Sequence, residues 1–343
     1  MKNLRKIGLS ALAGSLAAIS ANAVEMSVKG TSELSYISGG ETGSVTGNPF
    51  GSNTSIKFSG SGDVGFGTAS IVRTLNDNNG DNSTTASNEY VSAYTTLDMG
   101  DAGTVMFDST GGAITGIRAN RDKLPTAYEE VWNGVGGSGL LSAGTNNVLG
   151  YKNSFGGVSF NIAHNRATAG ASGTGDGGTS GAGSDKSATD IYVQFDETGV
   201  DGLVVGFGVH EQDSDVIVTN ATNEDSNLLA HVNYTNGPVS VGYRRNESQS
   251  GTNNKAGQNV EGYAIAFNVN DQMSISVATQ DRSFDKTASD STNGDITEES
   301  TAINAAYTVG SASIRVSMGE SDNTGGIKAA KDENTELSLV LSF

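Results

Sequence analysis

The last stretch of the chain constrains it most. Between Glu333 and Phe343, the side chains of Leu337, Leu339, Leu341 and Phe343 alternate with Ser338, Val340 and Ser342. Alternation with period 2 sends successive side chains to opposite faces of a strand. This segment therefore carries an apolar ribbon on one side and a mostly hydroxyl-bearing one on the other. A soluble sheet would turn such a ribbon to a protein core, whereas a membrane-crossing barrel would turn it to lipid and its polar side inward.

The opposite end of the chain decides between these. Met1 to Ala23 has Lys2, Arg5 and Lys6, then an apolar and small-residue stretch from Ile7 to Ile19, then Ala21-Asn22-Ala23. That is the pattern of a cleaved secretory signal, so residues 1–23 are expected to be removed and 24–343 to form a single domain. Without those three cations, 17 Lys plus Arg face 38 Asp plus Glu, and the formal charge moves from −18 to −21. Such an acidic balance argues against nucleic acid, whose phosphates demand clusters of Lys and Arg. The chain has no cysteine, so neither disulfides nor thiolate chemistry are available to it.

No further run of ~18 apolar residues occurs, which leaves a closed barrel as the only way for residues 24–343 to cross a bilayer with every backbone group paired. Sixteen alternating segments can be read, the first near 24–37, the second and third near 53–60 and 64–75, and the last near 333–343. The predicted fold is all-β, a 16-stranded antiparallel transmembrane β-barrel. Its connections alternate between tight turns rich in Gly, Asn and Asp, such as Ser61-Gly62-Asp63 and Asn236-Gly237, and long polar loops such as Ala167 to Ser187. Short turns on one rim and long loops on the other is the asymmetry of outer-membrane barrels. Expected lipid-facing rows include Ile191, Val193 and Phe195, Tyr263, Ile265 and Phe267, and Ile314, Val316 and Met318, with Tyr36, Tyr151, Tyr234, Tyr243, Tyr307 and Phe343 as interfacial aromatics.

The whole of 24–343 resembles the general, non-specific porins of the Gram-negative outer membrane. The resemblance rests on the sixteen segments, the terminal Leu-x-Leu-x-Leu-x-Phe, the stretch Leu97-Asp98-Met99-Gly100-Asp101-Ala102-Gly103-Thr104-Val105 and an overlong third loop. It implies a homotrimer of water-filled barrels in the outer membrane, in contact with lipid and lipopolysaccharide, passing small hydrophilic solutes and ions passively.

That third loop, 108–145, is the longest connection and mixes charge with aromatics. Its candidate constriction residues are Asp108, Arg118, Arg121, Asp122, Lys123, Glu129 and Glu130, beside the sole Trp132. Thr126 ahead of Ala-Tyr-Glu-Glu-Val-Trp reads as a short capped helical turn. Sixteen strands leave a bore wider than most solutes need, and the resemblance implies that this loop folds inward to narrow it. Facing it, the residues expected on a basic lumen wall are Lys29, Lys57, Arg73, Lys152, Arg244 and Arg315. Opposed acidic and basic walls would set up a transverse field across the bore, and the acidic surplus suggests a mild cation preference.

Other signals carry less. Gly173-x-Gly175-x-x-Gly178 lies in a Gly-Ser-Thr tract with no helix to follow, so it is read as a loop rather than a dinucleotide site. The carboxylate clusters at Asp213, Asp215, Glu224 and Asp225 and at Asp295, Glu298 and Glu299 are read as solvated loops, with no metal ligand assigned. His164, His210 and His231 show no paired spacing, so neither catalysis nor a cofactor is expected. The alternatives kept open are a substrate-specific outer-membrane channel, a secreted acidic β-rich adhesin and a barrel hydrolase.

Overall fold

A computed structural model describes residues 25–39, 48–77, 90–110, 124–140, 147–167, 186–214, 225–249, 257–285 and 296–343. They form one closed antiparallel barrel of sixteen strands. These are β1 (Glu25–Gly39), β2 (Phe50–Asp63), β3 (Thr68–Asp77), β4 (Tyr90–Asp98), β5 (Thr104–Thr110), β6 (Val148–Phe155), β7 (Val158–Ala167) and β8 (Lys186–Phe195), followed by β9 (Leu203–Ser214), β10 (Asp225–Asn236), β11 (Val239–Gln249), β12 (Gln258–Asn268), β13 (Met273–Phe284), β14 (Thr297–Val309), β15 (Ala312–Asp322) and β16 (Lys331–Ser342). Each strand pairs with its neighbours in sequence, and β1 pairs with β16 to seal the ring. The leader expected at 1–23 and the glycine motif at 173–178 lie outside the described residues.

The connections alternate as the sequence suggests. Short ones at 64–67, 99–103, 156–157, 237–238, 269–272 and 310–311 occupy one rim, and 111–147 is the longest on the other. Where positive φ is needed, glycine supplies it, as at Gly237 with φ 58° and Gly310 with φ 59°. The apolar rows face outward and remain bare: Phe207 is 52 % exposed, Ile265 and Ile314 50 %, and Leu337 45 %. In water that surface would be an unusually extensive apolar patch, whereas in hydrocarbon it is the solvated one. The opposite face holds the polar residues, among them Asp190, Asn227, Gln280, Asn304 and Ser338, all nearly inaccessible. Outward aromatics crowd the short-turn rim, where Phe155 stacks near Phe160 and Phe195, Tyr234, Phe267 and Tyr307 sit within a few residues of a turn.

One turn lies elsewhere than its sequence suggests, with a consequence for a site residue. The chain does not reverse at Ser61-Gly62-Asp63. It continues as strand and turns at 64–67, where the Val64 N–H donates to the Gly67 carbonyl at 2.9 Å and the Asp63 side chain accepts from the Gly65 N–H at 2.6 Å. Because side chains alternate, this displacement changes the face each β3 residue occupies. Arg73 pairs with Phe58 and lies on the outward side with Ile71. It is not part of the lumen wall.

The seam between β1 and β16 ends in a close contact. Phe343 exchanges backbone hydrogen bonds with Gly30 at 2.7 and 2.9 Å, and a Cβ at Gly30 would lie 2.3 Å from the Phe343 ring. Gly30→Val is therefore expected to displace the terminal ring and weaken the seam. Its readout is the fraction of chain that reaches the compact, heat-modifiable form in electrophoresis. An undiminished fraction would show that Phe343 can pack elsewhere without loss.

Candidate pore constriction

Of the long connection 111–147, the described segment 124–140 lies against the inward faces of strands from β8 round to β1. Within it, Ala127 donates its N–H to the Ser276 hydroxyl at 2.9 Å, and Asn304 both accepts from the Glu129 N–H at 3.2 Å and donates to the Glu129 carbonyl at 3.0 Å. Farther along, Gln280 donates to the Gly137 carbonyl at 3.0 Å and Asn246 to the Gly139 carbonyl at 3.2 Å. The polar wall thus satisfies the backbone of a segment with no regular secondary structure, as burial requires. Leu124 and Val131 pack with Ala264, Ala278 and Ala302, and Trp132 packs against that cluster.

The expected helical turn after Thr126 does not form a helix. Its hydroxyl does accept from the Tyr128 N–H at 3.2 Å, but the following backbone bonds, Asn133 to Glu130 and Val135 to Trp132, form isolated turns. The strands have small residues where this segment sits. A Cβ on Gly242 would lie 2.4 Å from Pro125, and one on Gly262 would lie 2.9 Å from Leu124. Inward-facing glycines in strand interiors, which cost strand stability, are the signal that could have located the loop's bed from sequence.

The candidate residues separate once placed. Glu129 and Glu130 stand on the segment, half-buried. Asp108 belongs to β5, which continues to Thr110, and is buried on the inward face. Arg118, Arg121, Asp122 and Lys123 lie outside the described residues. Of the expected basic wall, Lys29 and Lys57 are register partners on the inward faces of β1 and β2 and are exposed, as is Lys152 on β6. Arg244 points inward but is sealed beneath the loop: it is 0 % exposed, donates to Gln280, and lies 4.4 Å from the centroid of the Trp132 ring. Arg315 lies under Tyr128 at 5.4 Å.

Two acids join the site that were not among the candidates. The Tyr128 hydroxyl donates to Glu336 of β16 at 2.7 Å and lies 3.2 Å from Glu33 of β1. Glu33 shares the inward face of β1 with Lys29, so acids and cations do not divide into two opposed walls as the sequence reading supposed. Instead Glu33 and Glu336 meet at the Tyr128 hydroxyl, and Glu129, with Glu130 beside it, lies within reach of both acids. Burial, chiefly, with the carboxylates of Glu336, Glu130 and Glu33, pushes Glu129 up to about 7. Burial, chiefly, with the carboxylates of Glu336 and Glu33, holds the Tyr128 hydroxyl far above its ordinary value, so it remains a donor.

Glu298 also departs from its expected place. It is not a solvated loop acid but a fully buried partner of Arg282 at 2.6 Å. Among the histidines, His210 Nδ1 meets Asp190 at 2.6 Å with both side chains 1 % exposed, and His231 stacks on Tyr192. The first pair braces the neighbouring strands β8 and β9, and the second reaches across β9 from β8 to β10, over Gly206. Among the described residues no group of His, Asp and Glu has an arrangement that could hold a metal ion.

The barrel, its bare apolar exterior and an inner loop can be compared with known proteins. The model of the Gram-negative porin family matches residues 8–342. The chain belongs to the Gram-negative porins. No curated protein sequence matches it. Among solved structures, the porin resembles OmpF of Salmonella typhi in complex with daunomycin, at 10 % identity, a TM-score of 0.67 and coverage of 93 % of this chain and 97 % of that one. It likewise resembles the anion-selective porin from Comamonas acidovorans, at 13 % identity, a TM-score of 0.65 and coverage of 94 % and 100 %. A third is the outer membrane channel DcaP of Acinetobacter baumannii, at 13 % identity, a TM-score of 0.63 and coverage of 93 % and 97 %. At these identities the likeness is one of fold. Family and fold together make this porin an outer-membrane diffusion channel of a Gram-negative bacterium, and point to a channel rather than an enzyme.

Proposed function

We propose that this porin is a general diffusion pore, passing small hydrophilic solutes and ions through a waist formed by segment 124–140 and the facing strands, with a mild preference for cations. The observation that carries this reading is the cluster of Glu33 and Glu336 at the Tyr128 hydroxyl with Glu129 and its neighbour Glu130, supplied by both loop and wall. A ring of carboxylates in a narrow aqueous passage raises local cation concentration and disfavours anions. The exposed Lys29, Lys57 and Lys152 moderate that preference. They stand on the same inner surface and are unsheathed, whereas Arg244 is removed from the passage by its burial. Residues 1–23 are proposed to be a cleaved leader, and neither a cofactor nor catalysis is part of this reading.

The functional unit is proposed to be a homotrimer. A related structure is described as the trimer form of OmpT of Vibrio cholerae. Arg73 supports the same arrangement, because an outward arginine facing hydrocarbon at mid-strand would cost about 2–4 kcal/mol. Beside it, Gly60, Gly62 and Ala69 give the outer surface of β2 and β3 a small-residue relief suited to protein. Lipid and lipopolysaccharide would cover the remaining outer surface.

Reversal potentials across a planar bilayer under a KCl gradient test the selectivity, with a cation-favouring sign expected. An anion-favouring sign would overturn it. Detergent-extracted protein should migrate at three times the chain mass, and a monomer under the mildest extraction would remove the trimer from the reading.

A further inference from the structure

The strongest feature that the pore reading does not use is the buried ion pair of Arg282 and Glu298. They are register partners on β13 and β14, both pointing inward, with side chains 12 % and 0 % exposed. A charged pair this enclosed needs contacts on all sides, and here two different loops supply them. From the outer rim comes the connection 323–330 between β15 and β16. The Gly325 N–H donates to Glu298 Oε2 at 2.6 Å, Asn323 donates to the Thr297 carbonyl at 3.0 Å, and Gly326 lies against Phe284, over whose ring Arg282 sits at 4.7 Å. From inside the bore comes the constriction segment. A Cβ on Gly136 would lie 2.6 Å from Glu298 Oε1, and one on Gly137 would lie 2.0 Å from Arg282 Nη1. Two consecutive glycines let the loop backbone lie directly on the pair.

We propose that Arg282 and Glu298 are positioning residues that couple the connection 323–330 to segment 124–140, so that the outer loop sets how steadily the waist stays in place. The segment lies on both side chains, while the outer loop bonds Glu298 directly and reaches Arg282 through the Phe284 ring on which Gly326 packs. A displacement of either therefore alters the pair's geometry and reaches the other. The attachment near Gly136 and Gly137 helps hold the arm of the segment beyond Trp132, while Thr126 to Glu129 hold the arm before it, so releasing the pair loosens one arm, which Gln280 and Asn246 still tether, and leaves the other fixed. The expected behaviour is flicker of the open pore rather than a permanently wider one.

This inference rests on the porin reading, and single-channel recording separates the two. The unaltered protein must first conduct; if it does not, the diffusion-pore reading fails and this proposal with it. Glu298→Gln keeps the shape and an acceptor for the Gly325 N–H but removes the charge. It is expected to raise the frequency of brief conductance transitions about tenfold, equivalent to about 1.4 kcal/mol, with the main conductance level unchanged. Gly137→Ala, acting from the loop side, and replacement of 324–329 by a short glycine linker, acting from the outer side, should each produce the same flicker. Combining the linker with Glu298→Gln should add nothing further, because both act through one pair. A merely structural role would lower thermal stability without this shared, non-additive signature. Should Glu298→Gln fail to assemble, Gly137→Ala and the linker carry the comparison. Quiet recordings from Glu298→Gln, from either other variant alone, or flicker that simply adds on combination, would each overturn the proposal.

Discussion

Replacing Trp132 with alanine is expected to loosen the waist and raise the mean single-channel conductance of the porin. The Trp132 ring covers the guanidinium of Arg244, which is fully buried, and packs beside Leu124, Val131 and the alanines of β12 to β14. Loss of a large aromatic from such a place costs about 3 kcal/mol, toward the lower end for a ring that is only partly buried. The buried cation loses its aromatic partner at the same time. Since each 1.4 kcal/mol is tenfold, the population with segment 124–140 lifted from the wall should rise roughly a hundredfold. Openings should become larger and more varied, while the strands keep their pairing and the protein keeps its heat-modifiable mobility. Gly262→Leu attacks the same attachment from the wall side, where even a Cβ crowds Leu124. A conductance histogram of Trp132→Ala that overlays that of the parent protein would mean that the ring does not hold the loop.

The second large effect is on the pH dependence of selectivity. Glu129, pushed up to about 7, is neutral below that pH and negative above it. The sign follows directly: raising the pH through neutrality adds a negative charge at the waist, so preference for cations should grow as pH rises and shrink as it falls. The groups around it bear on the outcome as well. Glu336 on β16, Glu33 on β1 and Glu130 beside it add negative potential, Tyr128 remains protonated, and Arg315 on β15 opposes them from beneath the phenol. Reversal potentials measured at about pH 6 and about pH 8 should differ for the parent protein and nearly coincide for Glu129→Gln, because ordinary carboxylates have already titrated well below that window. Equal pH dependence in the two proteins would assign the titration to another group.

The barrel was legible in the chain because a period of 2 is a local property. Each row from Ile191 to Phe195 or Ile314 to Met318 declares its outward face without knowledge of any other strand. What sequence does not state so locally is where a turn falls among several candidate residues. The stretch from Ser61 to Gly67 has four residues suited to a reversal, and displacing the turn past Asp63 carried Arg73 from the expected lumen to the outer surface. The loop was legible as a stretch of mixed charge and aromatics, but how it lies against the wall was not. Glu129 and Glu130 stand out in the loop, yet the burial of Arg244, the joining of Glu33 to Glu336 through Tyr128 and the enclosure of Glu298 all depend on where an irregular segment comes to rest. Inward glycines at 242 and 262 held that information indirectly.

The pairing of β1 with β16 has a further bearing, on biogenesis. The first strand made waits for the last, and until that partner arrives its edge offers unpaired amides to any neighbouring strand. A chain interrupted anywhere before β16 has no internal partner for this edge. Closure through the two extreme strands therefore makes the paired edge of β1 depend on the arrival of β16.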